Sequence, residues 1–211
     1  MSTMQHKHLT PNCVIVNLHK PLRLFIAIPL SREVQSQFSH ILHTIRPKLQ
    51  ALTPRMTTQD SWHFTLIFLG NQQQEQVSII GNAMQKIGTS ITAPKIHFDE
   101  FTYGPPVYGK PSETARMVWA VTTRETSREL ETIRNALAAE LKTRNVLWEE
   151  TKRPYTGHIT LARFEPQSLH ALPQIEQKLP SAYRAISIDL IQSTLTPTGA
   201  RYQKLFSQQL P

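Results

Sequence analysis

Residues 62–70 read WHFTLIFLG and residues 157–164 read GHITLARF, so the phrase His-x-Thr-Leu occurs twice in the chain. Each stretch has apolar residues around one His and one Thr, a pattern typical of a β-strand. Because residues two apart on a strand point to the same face, each copy places an imidazole beside a hydroxyl. These pairs are His63 with Thr65 and His158 with Thr160.

The same alternation predicts that the apolar residues of both copies face away from the His-Thr pairs. These residues are Phe64, Leu66 and Phe68 in the first copy and Ile159 and Leu161 in the second. Two such strands facing each other across a cleft would present two imidazoles and two hydroxyls to one small anion, without a metal. The phrase alone is weak, since about 0.4 matches are expected by chance among nine His. The alternative is two half-buried strand histidines with unrelated roles.

Apolar spacing and turn residues predict strands and helices in both halves of the chain. The sequence favours strands at 23–29, 62–70, 95–103, 115–122, 157–164, 184–195 and 201–210. It favours helices that begin at Ser31, run through 77–87, run through 130–141 and cover 172–178. The first helix has apolar residues at helical spacing, namely Val34, Phe38, Ile41, Leu42, Ile45 and Leu49.

Local signals predict where three of these helices begin or end. Pro47 is expected to end or kink the first helix. Asn71 with Gln74, and Thr126 with Glu129, have the spacing of a capping box, so Asn71 and Thr126 are the predicted N-caps of the second and third helices.

The composition is that of a compact globular chain. A length of 211 residues suits one domain or two closely packed lobes, and no run approaches the ~18 apolar residues of a membrane span. The single Cys13 excludes an internal disulfide, and no signal peptide is visible, so we expect a cytoplasmic protein. The net charge of +8 suits a polyanionic substrate, although solubility alone explains it too.

We divide the chain into two segments. Residues 1–21 form an N-terminal extension, for which disorder and one added edge strand are both open, and residues 22–211 form a single domain. The pair His6 and His8 lies in the extension, where such exposed pairs usually bind nothing. Because we find no Gly-rich phosphate loop and no cluster with zinc spacing, we expect neither metal nor cofactor.

The two His-x-Thr-Leu phrases and the segments around them resemble the 2H phosphoesterase superfamily, and within it the RNA 2′,3′-cyclic phosphodiesterases, also called 2′-5′ RNA ligases. The resemblance covers about residues 22–210 and rests on LRLFIAIP at 22–29, the two His-x-Thr-Leu phrases, Val118-Trp119, Ala162-Arg163, and the tail with Ser193, Gly199 and Tyr202. Two residues depart from the family pattern. Gly157 stands where a proline usually precedes the second His, and Ser61 stands where an Asn is usual.

The resemblance implies an α+β fold with two pseudo-symmetric lobes. Each lobe is expected to be an antiparallel sheet with helices outside, and the active-site cleft should lie between the sheets. The implied reaction is the hydrolysis of a terminal 2′,3′-cyclic phosphate on RNA to a 2′-phosphate, with a 2′-5′ RNA ligase reaction in reverse. The expected partner is RNA with a cyclic phosphate or a 2′-5′ linked end, bound by a monomer away from membranes.

The predicted roles follow from the chemistry of opening a cyclic phosphate. One group must take a proton from water while another gives one to the leaving oxygen, and histidine can do either near neutral pH. We assign His63 as the general acid and His158 as the general base, although the two labels could be exchanged. Thr65 and Thr160 can donate hydrogen bonds to the non-bridging phosphate oxygens.

Arg163 is a further phosphate-binding candidate. It lies five residues after His158, so strict alternation puts it on the opposite face. It reaches the cleft only if the strand ends or bulges by Phe164. The resemblance implies a place near the phosphate, and the alternative is a surface arginine paired with an acid.

Several residues are candidates for contact with RNA. Tyr155, Arg153 and Lys152 precede the second strand and are expected to flank the RNA. Tyr103, Tyr108 and Trp119 are aromatic residues of the kind that stack on a base. For Trp119, packing in the core is favoured over stacking because its neighbours are apolar.

Two other functions remain open. The same fold could act on a small cyclic nucleotide or an ADP-ribose cyclic phosphate. The chain could instead be a basic RNA-binding module whose His pair is vestigial, although both His-Thr pairs and Arg163 are intact.

Overall fold

A computed structural model describes residues 20–105, 113–150, 153–197 and 199–211. Within these residues the helices are α1 Arg32–Leu49, α2 Gln76–Gly88 and α3 Arg124–Thr143. The strands are β1 Leu22–Pro29, β2 Arg55–Met56, β3 His63–Gln72, β4 Lys95–Ile96, β5 Phe98–Gly104, β6 Thr114–Thr122, β7 His158–Ser168, β8 Tyr183–Arg184, β9 Ser187–Thr196 and β10 Gly199–Gln209. Cys13, Tyr108, Lys152 and nearly all of the predicted N-terminal extension lie outside the described residues.

The strands form two four-stranded sheets, and each sheet contains one His-x-Thr-Leu strand. The first sheet has the order β10-β9-β1-β3, and the second has the order β2-β7-β6-β5. All neighbouring strands are antiparallel, and β4 and β8 form a separate short pair. The predicted α+β fold with two antiparallel lobes is confirmed.

The strands bury one face in a common core and leave the His-Thr face outside it. The six apolar residues predicted for α1 are all buried, which confirms the helical spacing read from the sequence. Phe64, which follows His63, and Ile159, which follows His158, are fully buried in this core. A second, small apolar cluster of Phe25, Ala27 and Ile191 lies apart from it.

Two predicted N-caps are wrong, and Pro47 does not end α1, whereas a kink at Pro47 stays a prediction. Pro47 lies inside the last turn of α1, which continues to Leu49. The N–H of the C-cap residue Gln50 donates to the Pro47 carbonyl. Asn71 does not cap α2, because it belongs to β3 and pairs with Arg23 of β1. The N-cap of α3 is Thr123, whose side chain accepts from the Thr126 N–H.

The predicted helix at 172–178 does not form. One 3-10 turn, Leu169–Ala171, precedes these residues, and the chain then continues without regular structure to β8. The carbonyl of Pro173 accepts a hydrogen bond from the Tyr103 hydroxyl at 2.6 Å, so it is bound to the core rather than to a helical turn. The long strands predicted at 95–103 and 184–195 are each divided, because β4 and β8 pair with each other outside the main sheets.

No helix in the described part of the chain is long and apolar enough to cross a membrane. Among the same residues, no group of three or more His, Cys, Asp or Glu side chains is arranged to hold a metal ion.

Candidate active site

Both His-x-Thr-Leu strands have a β-bulge at the Leu. In the pairing of β1 with β3, Ala27 lies opposite Thr65 and Ile26 opposite Ile67, so Leu66 is the extra residue. In the pairing of β6 with β7, Trp119 lies opposite Thr160 and Val118 opposite Ala162, so Leu161 is the extra residue. A bulge puts one more residue into one strand and reverses the faces beyond it.

The bulges decide where the fifth residue after each His points. Both Leu161 and Ala162 are buried, and Arg163 returns to the half-buried side that holds His158 and Thr160. The strand β7 therefore bulges before Phe164, which is the condition under which we expected Arg163 to reach the cleft. The matching bulge makes the prediction for Phe68 wrong: its side chain is 63% exposed and does not join the core with Phe64.

His63 lies in an aromatic environment built by the first lobe. Its ring centroid is 4.8 Å from that of Phe25 and 5.4 Å from that of Tyr202. The Phe25 ring is in turn 6.0 Å from that of Phe68, so Phe68 adjoins the same surface. Sequence reasoning missed Phe25 and left Tyr202 without a task, because their contacts depend on strand pairing.

His158 is stacked on Trp119 in the second lobe. Their ring centroids are 3.9 Å apart with an interplanar angle of 27°. Trp119 is only 8% exposed, so the predicted burial is right, but its neighbour is the candidate catalytic imidazole. An indole face attracts a cation, so this contact favours a proton on His158 during catalysis. Gly104 permits this position, since a Cβ there would lie 2.7 Å from the indole.

Each imidazole is oriented by the backbone two residues before it. The Nδ1 of His158 lies 2.8 Å from the Thr156 carbonyl, so it donates there and leaves Nε2 as the acceptor. His63 has the corresponding hydrogen bond with the backbone of Ser61. The departure at Ser61 therefore leaves this contact intact, because a backbone atom makes it.

Both imidazoles are held neutral by their surroundings in the free protein. Burial lowers the pKa of His63 to about 4, the Ser61 hydrogen bond opposes this, and the charge of His158 lowers the pKa further. Burial also lowers the pKa of His158, with the Thr156 hydrogen bond opposing and the Arg163 charge adding. The effect of the His158 charge on the pKa of His63 indicates that the two imidazoles lie within electrostatic reach of one another.

The hydroxyls of Thr65 and Thr160 have no hydrogen-bond partner among the described residues, and both side chains are half-buried. They are therefore available to a ligand, as the sequence predicted for phosphate oxygens. Arg163 donates from Nη1 to the sulfur of Met117 at 3.2 Å, a weak acceptor that leaves its other donors for an anion.

Two hydrogen bonds near the motif threonines link the lobes, one from Tyr155 to the Thr65 carbonyl and one from Trp62 to Thr57, which directly follows β2 of the second sheet. The Tyr155 hydroxyl, three residues before His158, donates to the Thr65 carbonyl at 3.1 Å. The Thr57 hydroxyl, six residues before His63, lies 2.7 Å from the Thr160 carbonyl and accepts from Trp62 Nε1 at 2.8 Å. A residue near each motif thus supports the other motif.

The remaining candidates divide between packing and the surface. Tyr155 is half-buried, and the Arg134 guanidinium lies 5.3 Å from its ring centroid, so its hydroxyl and its ring both contact protein. Arg153 is exposed, whereas Lys152 lies outside the described residues. The hydroxyl of Tyr103 is bound to Pro173. Contact of Tyr155, Arg153 and Lys152 with RNA stays a prediction.

The structure explains the glycine before the second His. The Gly157 N–H donates to Ser127 Oγ at 3.1 Å, a bond that a proline could not make. A Cβ at this position would lie 2.5 Å from Thr122 Oγ1 and 3.1 Å from a methyl of Leu130. The departure from the family pattern is therefore matched by the local packing around Gly157.

Two antiparallel sheets that each present a His and a Thr on one face have the arrangement expected of the two-histidine phosphoesterases. The family model for the AKAP7 2′5′ RNA ligase-like domain matches residues 24–186. The RNA 2′,3′-cyclic phosphodiesterase of Thermotoga maritima is 27% identical over 190 residues, which cover 89% of this chain and 95% of that protein. The chain belongs to the 2′5′ RNA ligase-like family of the 2H phosphoesterases.

Solved structures have the same fold. A crystal structure of apo E. coli LigT has a TM-score of 0.66 and 23% identity, covering 91% of this chain and 99% of LigT. A protein of Thermus thermophilus has a TM-score of 0.69 and 22% identity, covering 90% of this chain and 98% of that protein. These likenesses support the two-lobed architecture.

Proposed function

We propose that this protein is an RNA 2′,3′-cyclic phosphodiesterase that hydrolyses the terminal cyclic phosphate to a 2′-phosphate. The observation that carries the proposal is the pair of matched bulged strands. Each strand has an oriented imidazole beside a hydroxyl that has no hydrogen-bond partner among the described residues, and the second strand adds the Arg163 guanidinium on the same side. The activity of the Thermotoga relative, which is named as an RNA 2′,3′-cyclic phosphodiesterase, supports the same reaction.

The proposed reaction needs only groups of this chain and water. His158 takes a proton from water through Nε2 as the water oxygen bonds to phosphorus. The bond from phosphorus to the ribose 3′ oxygen breaks, and His63 gives that oxygen a proton. The number of protons on the protein is unchanged, since one imidazole gains what the other loses. Ligation follows the same steps with the 5′-hydroxyl of a second RNA in place of water: His158 takes the hydroxyl proton as its oxygen bonds to phosphorus, the bond to the 3′ oxygen breaks, and His63 protonates that oxygen, which leaves a 2′-5′ linkage.

Substrate binding lets His63 take up from solvent the proton that this scheme requires. Both imidazoles are neutral at neutral pH in the free protein, because burial lowers the pKa of each. A phosphate anion between them favours the charged imidazolium and raises both pKa values. The general acid is therefore protonated mainly in the complex. Thr65, Thr160 and Arg163 then stabilise the negative charge on the non-bridging oxygens.

The cleft is asymmetric in a way that suits a nucleotide. At equivalent positions after the two bulges, the second lobe has Arg163 and the first has the exposed Phe68. Phe68, Phe25 and Tyr202 form an aromatic surface beside His63. We assign the phosphate to the Arg163 side and the terminal base to the Phe68 side, because aromatic rings stack on any base.

The test is hydrolysis of an RNA oligonucleotide that ends in a 2′,3′-cyclic phosphate, in the presence of EDTA. Phosphorus NMR is expected to show one monoester product, the 2′-phosphate. Binding without turnover would instead identify a non-catalytic RNA-binding module. Turnover of cyclic mononucleotides with none of RNA would favour the small-nucleotide substrate.

A further inference from the structure

Arg55 and Arg116 lie within electrostatic reach of Arg163, beside the proposed phosphate site. Arg55 of β2 is the direct Cα partner of Arg163 of β7. Residues directly opposite each other on an antiparallel pair have their side chains on the same face. Arg116 precedes Met117 on β6, and Met117 is both the Cα partner of Arg163 and the acceptor of its Nη1 hydrogen bond.

Within the described part of the chain, this arginine cluster has no compensating carboxylate. The ion pairs among the described residues involve Lys86, Arg134, Lys142, Arg144 and Lys204, and none includes Arg55, Arg116 or Arg163. Burial first, and then the charges of Arg55 and Arg116, lower the pKa of Arg163, whereas Tyr202 raises it. Like charges directly opposite on paired strands are destabilising, so a bound anion would relieve this repulsion.

The cluster extends from the cleft to its outer edge. Arg163 is half-buried near His158, whereas Arg55 and Arg116 are exposed. The Arg55 guanidinium crosses to the other lobe, where its Nη1 lies 3.3 Å from the position of a Cβ on Gly199. Arg55 thus carries positive charge from β2 of the second sheet to β10 of the first.

We propose that Arg55 and Arg116 form a second phosphate subsite, which binds another phosphate of the same substrate. The inference rests on the proposed function, because that function places the reactive phosphate against Arg163. The ligand chemistry is a phosphate one nucleoside away from the reactive one. Two sources supply it: the phosphodiester of an RNA chain, or the 5′-phosphate of a small nucleotide.

Equilibrium binding tests this subsite without requiring turnover. Isothermal calorimetry would compare adenosine 2′-monophosphate, adenosine 2′,5′-bisphosphate and the dinucleotide ApA ending in a 2′-phosphate. We expect the wild type to bind at least one two-phosphate ligand about tenfold more tightly than the monophosphate, as for one charge-assisted contact. Preference for the dinucleotide identifies the RNA phosphodiester as the source, and preference for the bisphosphate alone identifies a small nucleotide.

The variants are Arg55→Gln, Arg116→Gln and the double substitution, each checked for folding by circular dichroism. The affinity ratio is the affinity for the preferred two-phosphate ligand divided by that for the monophosphate. We expect the double variant to reduce this ratio to about one, whereas a further variant, Arg55→Lys, should retain part of it. Arg128→Gln removes the same charge from an exposed position on α3 and should leave the ratio at about ten. A wild-type ratio of one for both ligands, or an unchanged ratio in the double variant, would overturn the subsite.

The same measurements separate this inference from the proposed function. A wild type that shows the affinity ratio but hydrolyses no cyclic phosphate keeps the subsite and loses the proposed activity. A wild type that hydrolyses cyclic phosphates but shows no ratio keeps the activity and loses the subsite.

Discussion

The Thr57 hydroxyl connects the residue before His63 to the bulge after Thr160. It accepts a hydrogen bond from Trp62 Nε1 at 2.8 Å and lies 2.7 Å from the Thr160 carbonyl and 2.9 Å from the Leu161 carbonyl. Thr57→Val keeps nearly the same shape but removes these bonds. The effect of this substitution therefore measures how much the link between the lobes contributes.

The expected loss of stability follows from the groups left behind. Trp62 is 3% exposed, so its indole N–H would be buried without a partner, which costs about 1–3 kcal/mol. The Thr160 carbonyl loses a bond worth about 1 kcal/mol. The Leu161 carbonyl keeps its bond from the Thr57 N–H. We expect Thr57→Val to lower the free energy of unfolding by about 2–4 kcal/mol.

Urea denaturation measures the change in the free energy of unfolding. The kcat/KM on a cyclic phosphate measures how the substitution affects the site. Because Leu161 is the bulged residue that turns Arg163 into the cleft, we expect kcat/KM to fall as well. The matched control is Thr44→Val, which removes an exposed hydroxyl bonded to its own helix at His40 and should change stability by about 0.5 kcal/mol or less. A Thr57→Val protein as stable and active as that control would refute the argument.

Three further predictions concern pH, packing and charge. Because burial lowers the pKa of His63 to about 4 and that of His158 below the ordinary 6.5, the kcat/KM profile of the free enzyme should be bell-shaped on the acid side of pH 6.5. The kcat/KM should fall at higher pH as the general acid deprotonates and at lower pH as the general base protonates. A profile centred above pH 7 would contradict the lowered pKa values of the two histidines. Gly157→Ala should destabilise the fold by about 1–3 kcal/mol in urea, since its Cβ meets Thr122 and Leu130, and an unchanged midpoint would show that this site has room. The affinity for RNA should fall more steeply with salt than that for a cyclic mononucleotide, and equal slopes would show that the +8 charge does not bind RNA.

The sequence predicts those features of the site that depend on local periodicity. The His and Thr of each motif share a face because strand side chains alternate, and the apolar stripe of α1 is buried because its spacing is helical. These patterns are local, so neither requires knowledge of what the element packs against.

The features that sequence reasoning missed depend on pairing between distant segments. The bulges at Leu66 and Leu161 are differences in register between two strands, and a single strand contains no sign of them. For this reason strict alternation puts Phe68 on the wrong face. The stacking of Trp119 on His158 likewise requires the pairing of β6 with β7.

We propose that His63 and His158 open a cyclic phosphate without a metal. The most direct measurement is single-turnover hydrolysis of RNA with a 2′,3′-cyclic phosphate end by the wild type, His63→Ala and His158→Ala in EDTA. We expect each substitution to slow the chemical step by about 10²–10⁴ while the affinity for the 2′-phosphate product changes much less. A wild-type rate in either variant, or a wild-type rate that EDTA abolishes and a divalent ion restores, would contradict it.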